Sequence, residues 1–222
     1  MTSHLASNID TYAEHGGYPP EDCAFCPYNV AFPYIGPASH DQSPVAPISL
    51  DSIPADGDAS RPDRLSPEGF IVLAAPNVLA FLDIQPLTRG HILVAPRAHR
   101  TKTTDMESSE IMELAQWLPL ISRTLCNVLG VTDYNICQNN GPLAAQVVPH
   151  VHFHIVPRGD SSEVPQGVVK TSVTFTRGRR MDLEDEEGAQ MASELRQGLR
   201  REVQEYLARK EGKREKSQRE RL

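Results

Sequence analysis

The sequence predicts an α+β fold: an antiparallel sheet of about five strands, one long helix kinked at a proline, and a further helix at the C-terminal end. Three observations carry this expectation. Short β-branched and aromatic runs separated by proline, asparagine and glycine recur between Phe70 and Ala95. A stretch from Asp105 to Leu129 repeats its apolar residues at helical spacing. The run His150-Val151-His152-Phe153-His154-Ile155-Val156-Pro157 alternates imidazoles with apolar side chains, which is the period of a strand.

Length and charge bound the organisation. A chain of 222 residues with 18 prolines, seven of them from Pro33 to Pro67, holds one domain with tails and an interruption. A net charge of -7 and a pI near 5.6 argue against broad electrostatic attraction to nucleic acid or a membrane surface, so an anionic substrate would have to be gripped locally. No apolar run approaches the roughly 18 residues of a membrane span, and Met1 to Asp10 lack a basic-then-apolar leader. The expected location is cytoplasm, nucleus or both.

In chain order, residues 1–20 are polar and read as a tail. Cys23-Ala24-Phe25-Cys26 follows, a Cys-x-x-Cys pair without the βαβ pattern a redox motif needs, so zinc is its main reading, and zinc requires two further ligands. Cys126 and Cys137, scattered among apolar neighbours, read as small core residues. Residues 36–67 are rich in Pro, Ser, Asp and Ala and are expected to be a disordered insertion, dispensable for the fold, with His40 a solvated loop residue. The domain is thus assigned to 21–35 and 68–180.

Phe70 to Ala74, Val78 to Ile84 and His91 to Ala95 read as three strands of a meander, turning at Pro76-Asn77 and at Gln85 to Gly90. The helix from Asp105 to Leu129 has Thr104 or Asp105 as its cap and Gly130 as its stop, and Pro119 inside it removes a backbone donor, predicting a kink. Trp117 belongs to its apolar side. Tyr134 to Gln138 is a fourth strand, Val147 to Val156 the histidine strand, and Val168 to Phe175 offers one more. Residues 181–222 form a charged helix whose Met191, Leu195, Leu199, Val203 and Leu207 stripe should dock on the domain, leaving a basic, mobile tail from Lys210.

The histidine run is a site rather than a packing feature, because each imidazole brings a polar nitrogen that needs a partner. Alternation puts His150, His152 and His154 on one face and Val151, Phe153 and Ile155 on the other. Two chemistries remain open on this ground: three imidazoles can hold a divalent metal with an open position, or one can act as a nucleophile that its neighbours orient.

The sequence His150 to Val156 resembles the signature of the histidine-triad (HIT) superfamily of nucleotidyl hydrolases and transferases. Phe81-Leu82-Asp83-Ile84, Gly90 to Pro96, Asn139-Asn140-Gly141 and Ala145-Gln146 fall where that family has its other recurring segments, so the resemblance spans about Cys23 to Arg158. It implies the HIT-like sheet and a structural zinc on Cys23, Cys26, His99 and His150, as in zinc-bearing members, which takes the triad's first histidine out of the chemistry. It further implies a nucleotidyl-histidine intermediate on His152, with His154 and Gln146 on the phosphoryl oxygens and leaving group. By the same resemblance Asn139 touches phosphate or ribose, Asp83 binds the ribose hydroxyls, Leu82 and Ile84, with Phe81 beside them, face the base, and His91 backs the triad.

The implied substrate is a purine-type nucleotide with a phosphoramidate or related bond at its α-phosphate. Dinucleoside polyphosphate hydrolysis is the alternative within the class, and a nucleotide-binding or scaffold module with residual catalysis is the alternative outside it. A homodimer joined through the sheet edge is also implied. Two positions depart from the family pattern: Ala145 stands where glycine is usual, and Val147 where a hydroxyl residue often follows.

Overall fold

The computed structural model describes residues 22–36, 45–56, 69–159 and 182–220. Five strands form one antiparallel sheet: β1 (Ile71–Ala74), β2 (Val78–Leu82), β3 (Ile92–Pro96), β4 (Asp133–Gln138) and β5 (Phe153–Arg158). Their spatial order is β1-β2-β3-β5-β4, so the last strand enters between the third and fourth. Among the described residues three α-helices accompany them: α1 (Pro27–Ala31), α2 (Ser108–Leu129) and α3 (Asp185–Arg219). The expected α+β class is the observed one. Among the described residues no helix is long and apolar enough to cross a membrane.

The sheet separates two apolar clusters. On one face Val78, Ala80, Leu82, Ile92, Val94 and Ile155 pack with Leu114, Trp117, Ile121 and Leu125 of α2 and Met191, Leu195, Leu199 and Val203 of α3. On the other, Ile71, Leu79, Phe81, Leu93 and Ala95 meet Tyr28 and Phe32 from the short α1 region. Each of the buried leucines contributes about 2 kcal/mol by area. The α3 stripe docks as its spacing requires, and Gly188 permits its approach, since a Cβ there would stand 2.4 Å from the ring of Phe70.

Four expectations are corrected. The helix expected from Asp105 begins at Ser108, after a 3-10 turn at Thr103–Asp105, because the Glu110 carboxylate accepts from the Glu107 backbone N–H (2.8 Å) and supplies the cap there. It then runs continuously past Pro119 to Gly130, whose left-handed backbone (φ 67°) ends it.

The strand expected from Val147 begins only at Phe153. Upstream, the Val151 N–H donates to the Arg100 carbonyl (2.6 Å), so this backbone is held by the loop after β3 rather than by the sheet. Only His154 of the three histidines therefore lies in the ladder.

Residues 45–56, expected within a disordered insertion, are ordered and partly internal. Ile48 and Ile53 belong to the main core, and the buried Arg196 donates to Asp56 (2.8 and 3.0 Å) and to the Ile71 carbonyl (2.8 Å), while Arg200 donates to the carbonyls of Ile53 and Pro54. Ile48 and Ile53 stand five positions apart, a spacing that fits neither a strand nor a helix face and so escapes pattern reading, yet both fill space beside α3. Finally, the helix expected to give way to a mobile tail near Lys210 continues to Arg219, exposed from Ala208 onward. The polar tail 1–20, His40, the possible strand Val168 to Phe175 and the rest of 36–67 lie outside the described residues.

Candidate active site and metal centre

Both sites lie on the sheet face opposite α2 and α3. Register places Phe81 beside Leu93, and Leu93 beside His154, so these side chains share the face that carries Tyr28 and Phe25. Asp83 follows Phe81 by two residues and joins the same face. Leu82, expected to face a bound base, points the other way into the main core at 2 % exposure, because side chains alternate along β2. Phe81 is the residue on the site face, and Ile84 is 38 % exposed beyond the strand end.

The Cys-x-x-Cys pair meets both histidines that the sequence offered. Sγ of Cys23 is 3.4 Å from Nδ1 of His150, and Sγ of Cys26 is 3.3 Å from Nδ1 of His99 and 3.8 Å from Nδ1 of His150. The four donor atoms lie within 4.8 Å of one another. A tetrahedral ion with bonds of about 2.3 Å to sulfur and 2.0 Å to nitrogen separates its sulfur and nitrogen ligands by roughly 3.5 Å, so the residues fit zinc.

Surrounding contacts prepare the donors. Nε2 of His150 donates to the Pro96 carbonyl (2.8 Å), which directs the Nδ1 lone pair at the sulfurs. Burial holds the His150 imidazole down at about 4, so it is neutral, as a ligand must be. Burial, with the neighbouring Cys23, pushes the Cys26 thiol up to about 12, a cost that a coordinated cation would reverse. Arg97 pins the same region by donating to the carbonyls of Ala75 (2.6 Å) and Phe32 (2.9 Å).

His152 is 6 % exposed and its Nδ1 lies 2.6 Å from the His150 carbonyl. A carbonyl only accepts, so Nδ1 carries the proton and Nε2 the lone pair. His154 packs edge-on against it, with centroids 4.8 Å apart, and its Nδ1 lies 2.9 Å from Nε2 of the buried His91.

Two neighbours compete for Nδ1 of His91: the Leu87 backbone N–H at 3.2 Å and an oxygen of Asp83 at 3.3 Å. The Leu87 backbone N–H donates to Nδ1, which makes that nitrogen the acceptor of a neutral ring. The His91 proton therefore sits on Nε2 and is donated to His154, whose own proton is left on Nε2. A lone pair on His152 and a donor on His154 thus stand side by side.

Asp83 is 8 % exposed and also accepts from the Gln85 N–H (2.9 Å). Gln146, expected on the phosphoryl oxygens, is instead engaged within the protein: its carbonyl accepts from Gly141 N–H (2.6 Å) and its amide donates to the carbonyls of Thr101 (2.8 Å) and His150 (3.3 Å). It therefore ties the 141–146 loop to the carbonyl that holds His152. Asn139 donates to the Ala145 carbonyl at 3.3 Å. Ala145 has φ 62° and is the one non-glycine among the described residues with positive φ, which makes the departure from glycine a point of backbone strain. A cavity of about 220 Å³ adjoins Asp83 and His91, but Leu87, Leu183 and Met191 line it and neither His152 nor His154 does, so it lies behind the site.

The sequence offered no period or motif for Phe25, between the two cysteines, whose ring stands 5.2 Å from His152, 5.1 Å from Phe81 and 5.9 Å from His150.

Comparison with known proteins agrees with this geometry. A family profile described as HIT domain matches residues 65–161. An uncharacterised HIT-like protein of Methanocaldococcus jannaschii is 42 % identical over 102 residues, covering 45 % of this chain and 78 % of the relative. The adenosine 5'-monophosphoramidase of Schizosaccharomyces pombe is 42 % identical over 80 residues, covering 36 % of this chain and 57 % of the enzyme, so the chain spans little more than half of it. The crystal structure of a zinc-bound histidine triad family protein from Mycobacterium smegmatis superimposes with a TM-score of 0.51 at 26 % identity, covering 82 % of this chain and 95 % of that one.

Proposed function

Because the chain belongs to the histidine-triad (HIT) family, we propose that it is a nucleotide hydrolase or transferase whose nucleophile is Nε2 of His152. The observation that carries the reading is the 2.6 Å bond from Nδ1 of His152 to the His150 carbonyl, which leaves Nε2 unprotonated and nucleophilic at neutral pH. Attack on an α-phosphorus forms a nitrogen–phosphorus bond and breaks the bond to the leaving group. The Nε2–H of His154 stabilises the charge that develops on the phosphoryl oxygens or leaving atom. Water then attacks the nucleotidyl-histidine, returns the imidazole and releases the nucleoside monophosphate.

Asp83 binds the ribose hydroxyls, Phe81 and the exposed Ile84 offer apolar surface toward a purine base, and Asn139 is the phosphate-side contact. Gln146 orders the loop rather than touching phosphate. The similarity to an adenosine 5'-monophosphoramidase supports a phosphoramidate substrate. Zinc on Cys23, Cys26, His99 and His150 is structural, since four protein donors close its coordination shell.

A homodimer completes the proposal. Strand β4 is an edge of the sheet and exposes Tyr134 and Ile136 (42 % each), with Ile111 and Met112 of α2 also exposed, and such an edge calls for a cover. A monomeric mass in light scattering at micromolar concentration would refute it.

The experiment that tests the reaction is a panel of adenosine phosphoramidate and dinucleoside tri- and tetraphosphates against the wild type and His152→Asn. Turnover of the phosphoramidate that vanishes in the variant supports the reading. Preference for a polyphosphate moves the substrate class, and tight binding of AMP without turnover of any compound overturns the enzyme.

A further inference from the structure

Resting on that reading of His152 and of the cysteine–histidine centre, we propose that Phe25 is a positioning residue that couples the metal centre to the nucleophile. Phe25 lies in the two-residue span between Cys23 and Cys26, and its backbone N–H donates to Sγ of Cys23 (3.4 Å), so the metal donors set where its ring goes. The ring is half-buried and meets His152 edge to face, 5.2 Å between centroids and 84° between planes. His154 packs on His152 at 4.8 Å and 69°. The nucleophile's ring thus donates to the His150 carbonyl and is flanked by the rings of Phe25 and His154, the first of which belongs to the metal loop.

His150 supplies the second half of the link. Its side chain faces the sulfurs through Nδ1, while its carbonyl accepts from Nδ1 of His152. One residue therefore belongs to both sites, and Phe25 closes the circuit from the cysteine side through contacts with His150 (5.9 Å) and Phe81 (5.1 Å). A divalent ion held by Cys23, Cys26, His99 and His150 would lock in place both the loop that seats Phe25 against His152 and the residue whose carbonyl selects its tautomer. Without that seat, the bond to the His150 carbonyl loses the ring edge that backs it, and the imidazole turns more readily about its Cβ–Cγ bond, a terminal torsion with broad wells, to present the wrong nitrogen.

The test uses the full chain labelled with nitrogen-15, its zinc content measured, and long-range proton–nitrogen spectra of the imidazoles, with the His152 signals assigned by their loss in His152→Asn. Zinc-loaded wild type should show His152 as the single Nδ1–H tautomer. Phe25→Leu keeps an apolar side chain against Phe81 but has no ring edge. It should retain about one zinc per chain while His152 shifts toward a mixture of tautomers, and kcat should fall roughly tenfold or more with KM little changed. Phe25→Tyr should restore both. An unchanged His152 spectrum and kcat in Phe25→Leu overturns the proposal.

If Phe25→Leu fails to fold, zinc stripping and refilling of the wild type decides: His152 signals that ignore zinc overturn the coupling, and signals that follow its occupancy support it. Wild type that takes up no zinc overturns the metal reading and the coupling together. A normal response of His152 in a protein that turns over no nucleotide overturns the reaction and leaves the coupling standing.

Discussion

Nε2 of His91 stands 2.9 Å from Nδ1 of His154, so two buried imidazoles, one just before β3 and one in β5, share one hydrogen bond beside the nucleophile. The contact arises because β3 and β5 are neighbours in the sheet, with Leu93 opposite His154.

Removing that bond should disarm His154. His91→Ala leaves a buried acceptor without its donor, a loss of about 1–3 kcal/mol in stability. Turnover of a phosphoramidate should fall by roughly tenfold or more, mainly in kcat, because His154 loses its assigned tautomer while His152 is untouched. Urea unfolding and steady-state kinetics measure the two effects, and wild-type kcat in a folded variant would refute the role.

Zinc should bind at about one ion per chain. Metal that closes a donor set drawn from Cys23 to His150 contributes to folding directly, so strong chelation or Cys23→Ser should lower the melting temperature. Elemental analysis and thermal unfolding check this; a metal-free protein with an unaltered melting curve would sink it.

Ala145 adopts φ 62° and ψ 29°, a left-handed conformation that costs an L-residue about 1–2 kcal/mol. Ala145→Gly removes the strain but adds freedom to the unfolded chain, so we expect a net gain of roughly 0.5–1 kcal/mol, read as a higher denaturation midpoint. A loss of stability on this change would show that the strain is not there.

The ordered part of the insertion should matter for stability. Ile53→Ala removes buried volume from the main core and should cost about 2–4 kcal/mol, so deletion of 36–67 should lower the melting temperature rather than leave it alone.

The pH dependence follows from Asp56. Burial alone would raise its carboxyl, but the hydrogen bonds and charge of Arg196 outweigh burial and hold it below the ordinary carboxyl range. A folded-state value below the unfolded one gives stability that is present above about pH 4 and lost as pH falls through the lower folded value. Asp56 is 54 % exposed, so the gain is small, under about 1 kcal/mol. Asp56→Asn should therefore lower stability slightly at neutral pH, by under about 1 kcal/mol, leave strongly acid pH unaffected and so flatten the acid limb of a stability profile; an unchanged acid limb would remove Asp56 from the account.

What the sequence by itself determined is whatever repeats over a few residues or carries its own chemistry. The runs at Ile71, Val78 and Ile92 appear as strands, the apolar spacing from Ile111 to Val128 as a helix ended at Gly130, and the Met191 to Val203 stripe as a docked surface, because backbone periods of two and 3.6 are local. The same is true of the inventory of the site, since the cysteine pair and the alternating histidines are legible as residue types at fixed spacing. The alternation even held the answer for Leu82: it is the single residue between Phe81 and Asp83, so it must face away from both.

Tertiary structure alone decided the rest. Cys23 and His150 are 127 residues apart and meet because β5 enters between β3 and β4 and carries the histidine segment across to the N-terminal loop. Ile48 and Ile53 become core residues because Arg196 and Arg200 of α3 hold their segment down, an arrangement with no period to read. The proton positions on His152, His91 and His154 depend on which carbonyl or amide stands opposite each ring nitrogen. Imidazole chemistry is written in the residue name, but its tautomer is set by neighbours that only the packed chain brings within 3 Å or so.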